Sequence, residues 1–231
     1  MRVCSAVFVA LLAAPHDGPD PIGSWRLSEG LVTDGKLASL LGVDGRVDGA
    51  VSFVDDGAGG ALYFDGKSTR VVLADDFAES EQKLPVKHMS VTAWVAINTP
   101  LPWGGIMGVL QDNGGAEAGW ILGYNESNFT FGLASEGADD GDGSMTYMVG
   151  KTRYDEGRFY HVCATYDGEV MRLYVNGELD AESRAQSGAI QYPQRAPLVL
   201  GSYLDDNEDF KLHGRLRSAR VFDETAKAAA V

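Results

Sequence analysis

The chain predicts an all-β fold, a two-sheet antiparallel sandwich of the jelly-roll kind. Three observations carry this. Tight-turn dipeptides recur along the chain, with Asp-Gly at Asp34, Asp44, Asp65 and Asp167 among others and Asn-Gly at Asn113 and Asn176. Between them lie short runs rich in Val, Tyr, Phe, Leu and Thr, the residues that suit a pleated, half-buried surface. Helical periodicity is nearly absent, so two packed sheets are the architecture left to bury a core.

Eleven runs read as strands. In chain order they are "GALYFDG", "TRVVLA", "SVTAWVAI", "GIMGVLQ", "GWILGYN", "FTFGLAS", "TYMVGKT", "FYHVCATY", "EVMRLYVNG", "APLVLGS" and "RLRSARVF". In "EVMRLYVNG", Met171, Leu173 and Val175 alternate with Arg172, Tyr174 and Asn176, giving one apolar and one mixed face. "ASLLG" near Leu40 and "ETAKAAAV" at the end are the only candidate short helices. "ESRAQSGAIQYPQRA" reads as a crossover over one end or face of the sandwich.

With 231 residues, 45% of them hydrophobic, one large domain with a sizeable core is expected. Residues 17–231 form that domain. Residues 1–16, one Arg followed by a short apolar run, fit either a leader segment or an N-terminal β-segment packed on the domain. Cys4 lies in this segment, and Cys163, inside an apolar strand, reads as a small buried hydrophobe without chemistry. The net charge of −14 disfavours nucleic acid and anionic membrane surfaces, which select for Lys and Arg. It suits divalent cations and neutral partners such as glycans. No apolar run is long enough for a membrane span.

The order "GSWRLSEG", "GGALYFDGKSTRVVL", "SVTAWVAI", "FYHVCATYDGEVMRLYVNGEL", "APLVLGS", "LHGRLRSARVF" resembles the concanavalin A-like jelly rolls of the laminin G-like type. The strand–DG–strand–NG hairpin around Asp167 and Asn176 is the most specific part. The resemblance implies a secreted or cell-surface domain. It fixes a fold more than a job, because many functions are grafted on this sandwich.

The acidic stretch "GSYLDDNEDF", Gly201 to Phe210, places four carboxylates and an amide side by side with no cation before Lys211. If successive hairpins alternate in direction and "LVLGS" points up, this stretch shares one end with the loop after "GIMGVLQ" and with "EGADDGDGS". The pentraxins, which share the sandwich, carry an Asp-Asn pair in the loop matching "LQDNGG" and acidic and amide ligands after a strand ending in Leu-Gly. That resemblance implies calcium, held by Asp112, Asn113 and Asp205. Ser202 and Tyr203 stand where two further pentraxin ligands would be, so Asp139, Asp206, Glu208 and Asp209 are the candidate replacements. A calcium shell needs six to eight oxygens, and the expected metal set is Asp112, Asn113, Asp139, Asp205, Asp206 and Asp209. The other reading of these loops is a solvated acidic surface.

Trp25, Trp94 and Trp120 lie in strand patterns and are assigned to the core. Trp103, in the loop "PLPWGG", is a candidate to stack on a sugar or a partner, as is Tyr203 to contact a ligand; hairpin parity puts Trp103 at the end opposite the acidic loops. Glu178, Asp180 and Glu182 fall at i, i+2 and i+4 and resemble the Glu-x-Asp-x-Glu signature of retaining β-glucanases. The four His are scattered without zinc spacing. The expected function is a calcium-supported binding module for carbohydrate or extracellular protein. The alternatives are a glycoside hydrolase using Glu178 and Glu182, and a structural accessory domain of a larger protein.

Overall fold

The computed structural model describes residues 18–55, 57–113, 117–138 and 145–226. The expected leader 1–16 with Cys4, the loop holding Asp139, and most of "ETAKAAAV" lie outside the described residues. Nineteen strands are formed among those described: β1 (Gly23–Arg26), β2 (Val32–Thr33), β3 (Lys36–Leu37), β4 (Gly45–Asp48), β5 (Phe53–Val54), β6 (Ala61–Asp65), β7 (Arg70–Ala74), β8 (Met89–Ile97), β9 (Gly104–Gln111), β10 (Ala118–Tyr124), β11 (Asn128–Ala134), β12 (Met145–Arg153), β13 (Phe159–Tyr166), β14 (Met171–Val175), β15 (Glu178–Ser183), β16 (Leu198–Leu200), β17 (Ser202–Leu204), β18 (Asp209–Lys211) and β19 (His213–Phe222). All eleven expected strands are among them. Most of those not anticipated are two to four residues long, too short to show a period.

The strands make two main antiparallel sheets. One runs β15-β14-β13-β8-β19-β6-β5, with β1 paired to the far half of β19. The other runs β12-β11-β10-β9-β16-β7-β4-β3-β2, and β17-β18 form a separate hairpin. The sheets face each other across a core that includes Trp25, Phe64, Val91, Val95, Trp120, Phe129, Phe131 and Leu173. This is the two-layer solution in which each sheet hides one face. The Asn-Gly turn joining β14 to β15 has both residues at positive φ, 52° at Asn176 and 85° at Gly177, as a two-residue hairpin requires. The segment from Arg184 to Ala196 crosses one end, where Ile190 bridges to Ser135 and donates to the Val86 carbonyl.

Three expectations about local structure are corrected. "ASLLG" is not helical: Leu40 donates to the Ser24 carbonyl, Leu41 accepts from Ser24, and Gly42 turns the chain at φ 89°. Trp94 is not core. β8 buries Val91, Ala93 and Val95, so period-2 alternation turns Trp94 outward, where it is 38% exposed. Lastly, "LVLG" does not run parallel to "GIMGVLQ". β16 pairs antiparallel with β9, so it arrives at the opposite end. Gly201, at φ 74°, then reverses the chain, and β17 returns along the outside of β9. That return needs glycine at two places. A Cβ on Gly201 would fall 2.1 Å from the Phe64 ring, and one on Gly105 would fall 2.1 Å from the Ser202 carbonyl oxygen.

Candidate functional site

The return of β17 creates a second, smaller apolar cluster on the outer face of the nine-stranded sheet. Leu110, Ile121, Ala134, Met145 and Tyr203 are buried there, with Tyr147 and Phe210 packed against them. Over this cluster two of the three acidic loops meet, although β16 runs opposite to the expected direction; the third lies outside the described residues. Asp112 follows β9 and Asp205 follows β17. The Asp112 backbone N–H donates to Asp205 Oδ2 at 3.3 Å, and Asn113 Nδ2 donates to Asp206 Oδ1 at 2.7 Å. Two tyrosine hydroxyls converge on Asp112 Oδ2, Tyr203 at 2.5 Å and Tyr147 at 2.8 Å. Asp205 Oδ1 accepts from the backbone N–H groups of Asn207 and Glu208, closing its own turn. Much of the acidic run is therefore answered by hydroxyl and amide donors rather than by cations.

Glu208 is the carboxylate left under strain. Burial pushes its pKa up, and the charges of Asp205 and Asp112 push it further the same way. Burial likewise raises the Tyr147 and Tyr203 hydroxyls well above the ordinary phenol value, with Asp112 adding to it in both, so both act as donors at neutral pH.

Asp209 leaves the set. It accepts from Ser202 Oγ at 2.7 Å, pairs with Arg70 at 2.9 Å, and also pairs with Lys211. Burial opposes ionisation there, but the bonds from Lys211 and Ser202 hold the carboxyl below its usual range. It is already neutralised. Asp139 lies outside the described residues. Asp112 Oδ1 and Asp206 Oδ2 have no donor among the described residues, so open oxygens exist, but those residues alone contain no group of three or more acidic, His or Cys side chains that could hold a metal.

Trp103 is 48% exposed and belongs to this site, contrary to the parity expectation. Its loop brings the indole against Tyr147, with ring centroids 5.7 Å apart and tilted by 58°. The Tyr147 hydroxyl in turn reaches Asp112 and, at 2.8 Å, Tyr203. Tyr203 itself is 4% exposed with its hydroxyl committed, so it positions Asp112 and does not face a ligand. Tyr147 is the residue sequence reasoning missed. Alternation with the core residue Met148 in "TYMVGKT" was the available signal.

The β-glucanase-like triplet is not assembled. A register shift in the β14–β15 pairing leaves Asp180 without a partner opposite it, so Asp180 and Glu182 do not share a face. Asp180 is buried and accepts from the Thr152 backbone N–H at 2.9 Å and from its hydroxyl at 2.5 Å. Glu182 is exposed and pairs with Arg172 at 3.0 Å, and Glu178 is exposed at the Asn-Gly turn. The two glutamates do not flank a cleft with Asp180 between them, as a retaining pair would. Cys163 is buried, and burial pushes its thiol up to about 12, which makes it unreactive at neutral pH.

A family model described as the concanavalin A-like lectin/glucanases superfamily matches residues 65–231. The chain belongs to this superfamily. Its laminin G-like branch is the one matched, in agreement with the hairpin around Asp167 and Asn176. Among curated proteins the chain is similar to pappalysin-1 of Mus musculus, 26% identical over 162 residues, which is 64% of this chain and 9% of pappalysin-1. The chain thus spans about a tenth of the length of the curated relatives it matches. Among solved structures it superposes on domain 4 of AbnA, a GH43 extracellular arabinanase from Geobacillus stearothermophilus, in complex with arabinotriose. The TM-score there is 0.68 at 13% identity, covering 93% of this chain and 97% of that one. It also superposes on the binding domain of Paraclostridial Mosquitocidal Protein 1, with a TM-score of 0.64 at 11% identity, covering 90% of this chain and 50% of that one. At these identities the likeness is one of fold. No helix among the described residues is long and apolar enough to cross a membrane.

Proposed function

We propose that this concanavalin A-like domain is a binding module of a secreted or cell-surface protein, and that it takes a glycan at the outer face of the nine-stranded sheet. The observation that carries the reading is Trp103, held half-exposed against Tyr147 while Tyr147 is fixed by Asp112 and Tyr203. A fixed aromatic face beside carboxylate and amide acceptors is what a sugar ring uses, stacking its C–H face and bonding its hydroxyls. The similarity in fold to an arabinanase domain solved with arabinotriose supports the reading. A glycan array with the intact domain and with Trp103→Ala tests it: the expected result is a signal lost in the variant.

Calcium support at this end is a separable part of the proposal. It rests on the open oxygens of Asp112 and Asp206 and on Glu208 pushed up by burial and by its acidic neighbours, with Asp139 a candidate from the sequence alone. Asp209 is not part of it. Running the array with calcium and again with a chelator separates the two claims.

A second reading is an accessory module for a protein ligand. The match to a small part of the much longer pappalysin-1 favours it. Binding to no glycan on the array, in calcium or in chelator, would promote this reading.

A further inference from the structure

The opposite face of the molecule carries a feature of contrary charge. On the outer side of the eight-stranded sheet, Trp94 of β8, His161 of β13, Asn176 of the β14–β15 turn and Arg220 of β19 line a cavity of about 420 Å³. A second cavity, about 240 Å³, adds Arg26 and Arg217 and shares Trp94, Ser218 and Arg220 with the first. Among the described residues, no Asp or Glu lines either one.

The aromatic and basic groups hold one another in place. The Arg217 guanidinium lies 4.5 Å from the Phe159 ring centroid and 5.3 Å from that of Trp94. The Trp94 and His161 rings are 5.2 Å apart. The side chain of Asn176 accepts from the His161 backbone N–H at 2.9 Å, which fixes the turn against the strand. Burial, and next the Arg220 charge, lower the His161 pKa, so its imidazole is neutral at neutral pH and offers a hydrogen bond rather than a charge. Arg220 is exposed and has no carboxylate within ion-pair distance among the described residues, although seven other Arg and Lys side chains do.

We propose that this groove is a second ligand site and that its ligand is a sugar bearing a carboxylate. The cavity has the size of a small-molecule site. Trp94 supplies an apolar surface, and Thr92, Ser218 and Asn176 supply small polar groups suited to ring hydroxyls. An arginine fork matches a carboxylate in two parallel hydrogen bonds, which a neutral sugar cannot offer. The inference does not depend on the Trp103 site, which is on the other sheet.

The test is calorimetric titration of the intact domain with short oligosaccharides in matched pairs: trigalacturonic acid against its methyl ester, and a glucuronic acid-terminated trisaccharide against the glucose-terminated analogue. A sulfated oligosaccharide and inorganic phosphate complete the panel. At least one acid is expected to bind at least tenfold more tightly than its neutral partner. Arg220→Gln and Trp94→Ala should each remove at least tenfold of that affinity, with melting curves confirming that both variants fold. Arg46→Ala, which removes the same charge from the other sheet, should leave it unchanged. Equal binding of acid and neutral partners, binding by none of the acids, or binding indifferent to Arg220→Gln would overturn the proposal. Preference for the sulfated oligosaccharide or phosphate over every uronic acid would overturn the carboxylate assignment. Loss of binding in Trp103→Ala but not in Trp94→Ala would move the ligand to the other face and overturn this site while leaving the first intact.

Discussion

Tyr203 donates to the carboxylate of Asp112 across 2.5 Å, tying the loop after β9 to a strand 91 residues further along the chain. Tyr147 donates to the same oxygen, so a single carboxylate oxygen fastens β12, β17 and the β9 loop together. The acidic end is thereby a structured surface, and its polar groups should be felt in stability.

Tyr203→Phe and Tyr147→Phe each delete one donor to a partly buried charge. Each is expected to destabilise by about 1–3 kcal/mol, which lowers Tm by roughly 3–10 °C in a domain of this size. The double variant should depart from the sum, since the two hydroxyls share one acceptor oxygen and lie 2.8 Å apart. Denaturant unfolding of the four proteins checks this. Strict additivity would mean that the network is not shared.

Calcium is expected to raise Tm. Binding to the folded state alone contributes about 2.7 kcal/mol at a hundred times Kd. Asp112→Asn and Asp205→Asn should shrink the calcium-induced shift. Asp209→Asn should lower Tm in calcium and in chelator alike, because its carboxylate serves Arg70, Lys211 and Ser202. Glu208→Gln should raise Tm slightly in chelator, since burial beside Asp205 and Asp112 disfavours its charge. Melting curves that do not move with calcium would leave the loop end as a hydrogen-bonded acidic surface.

Acid should weaken the fold through Asp65. Burial disfavours its charge, yet three backbone N–H groups and the Ser68 hydroxyl donate to it and hold its carboxyl well below the usual range. A depressed carboxylate contributes stability that is complete above the unfolded value, about pH 4, and is lost as pH falls through the folded one. Asp65→Asn should destabilise at neutral pH and flatten the acid limb. A parallel pH profile for the variant and the parent would contradict this.

Asp180 is expected to behave as a structural group. Asp180→Ala leaves the Thr152 N–H and hydroxyl without an acceptor, at a cost of about 1–3 kcal/mol. Glu182→Gln disturbs only an exposed pair with Arg172 and should cost under about 1 kcal/mol. Hydrolysis of laminarin or lichenan that disappears in both Glu178→Gln and Glu182→Gln would overturn the geometric reading of β15.

Much of this was legible in the sequence, for reasons that particular residues make plain. The eleven strands show because period 2 and the Asp-Gly and Asn-Gly turns are local signals, and Asn176-Gly177 adopts the turn its residues demand. Trp94 was misplaced although the signal was present: Val91, Ala93 and Val95 mark the core face and leave Trp94 outside. The site was harder. Asp112 and Asp205 meet only because Gly201 reverses the chain after β16, and a φ of 74° at one glycine is not visible as a strand direction. Asp180 and Glu182 separate because of one bulge, which flips a face without changing the residue pattern. Asp209 reads as one more acid in a row until Arg70, 139 residues away, is seen beside it.

The most direct test of the account is the glycan array read with the intact domain and with Trp103→Ala, in calcium. The account predicts a defined set of glycans bound by the intact domain, with that set lost or at least tenfold weakened in the variant while its melting temperature stays near that of the parent. A Trp103→Ala protein that keeps the same glycans at the same strength, or an intact domain that binds none, would contradict it.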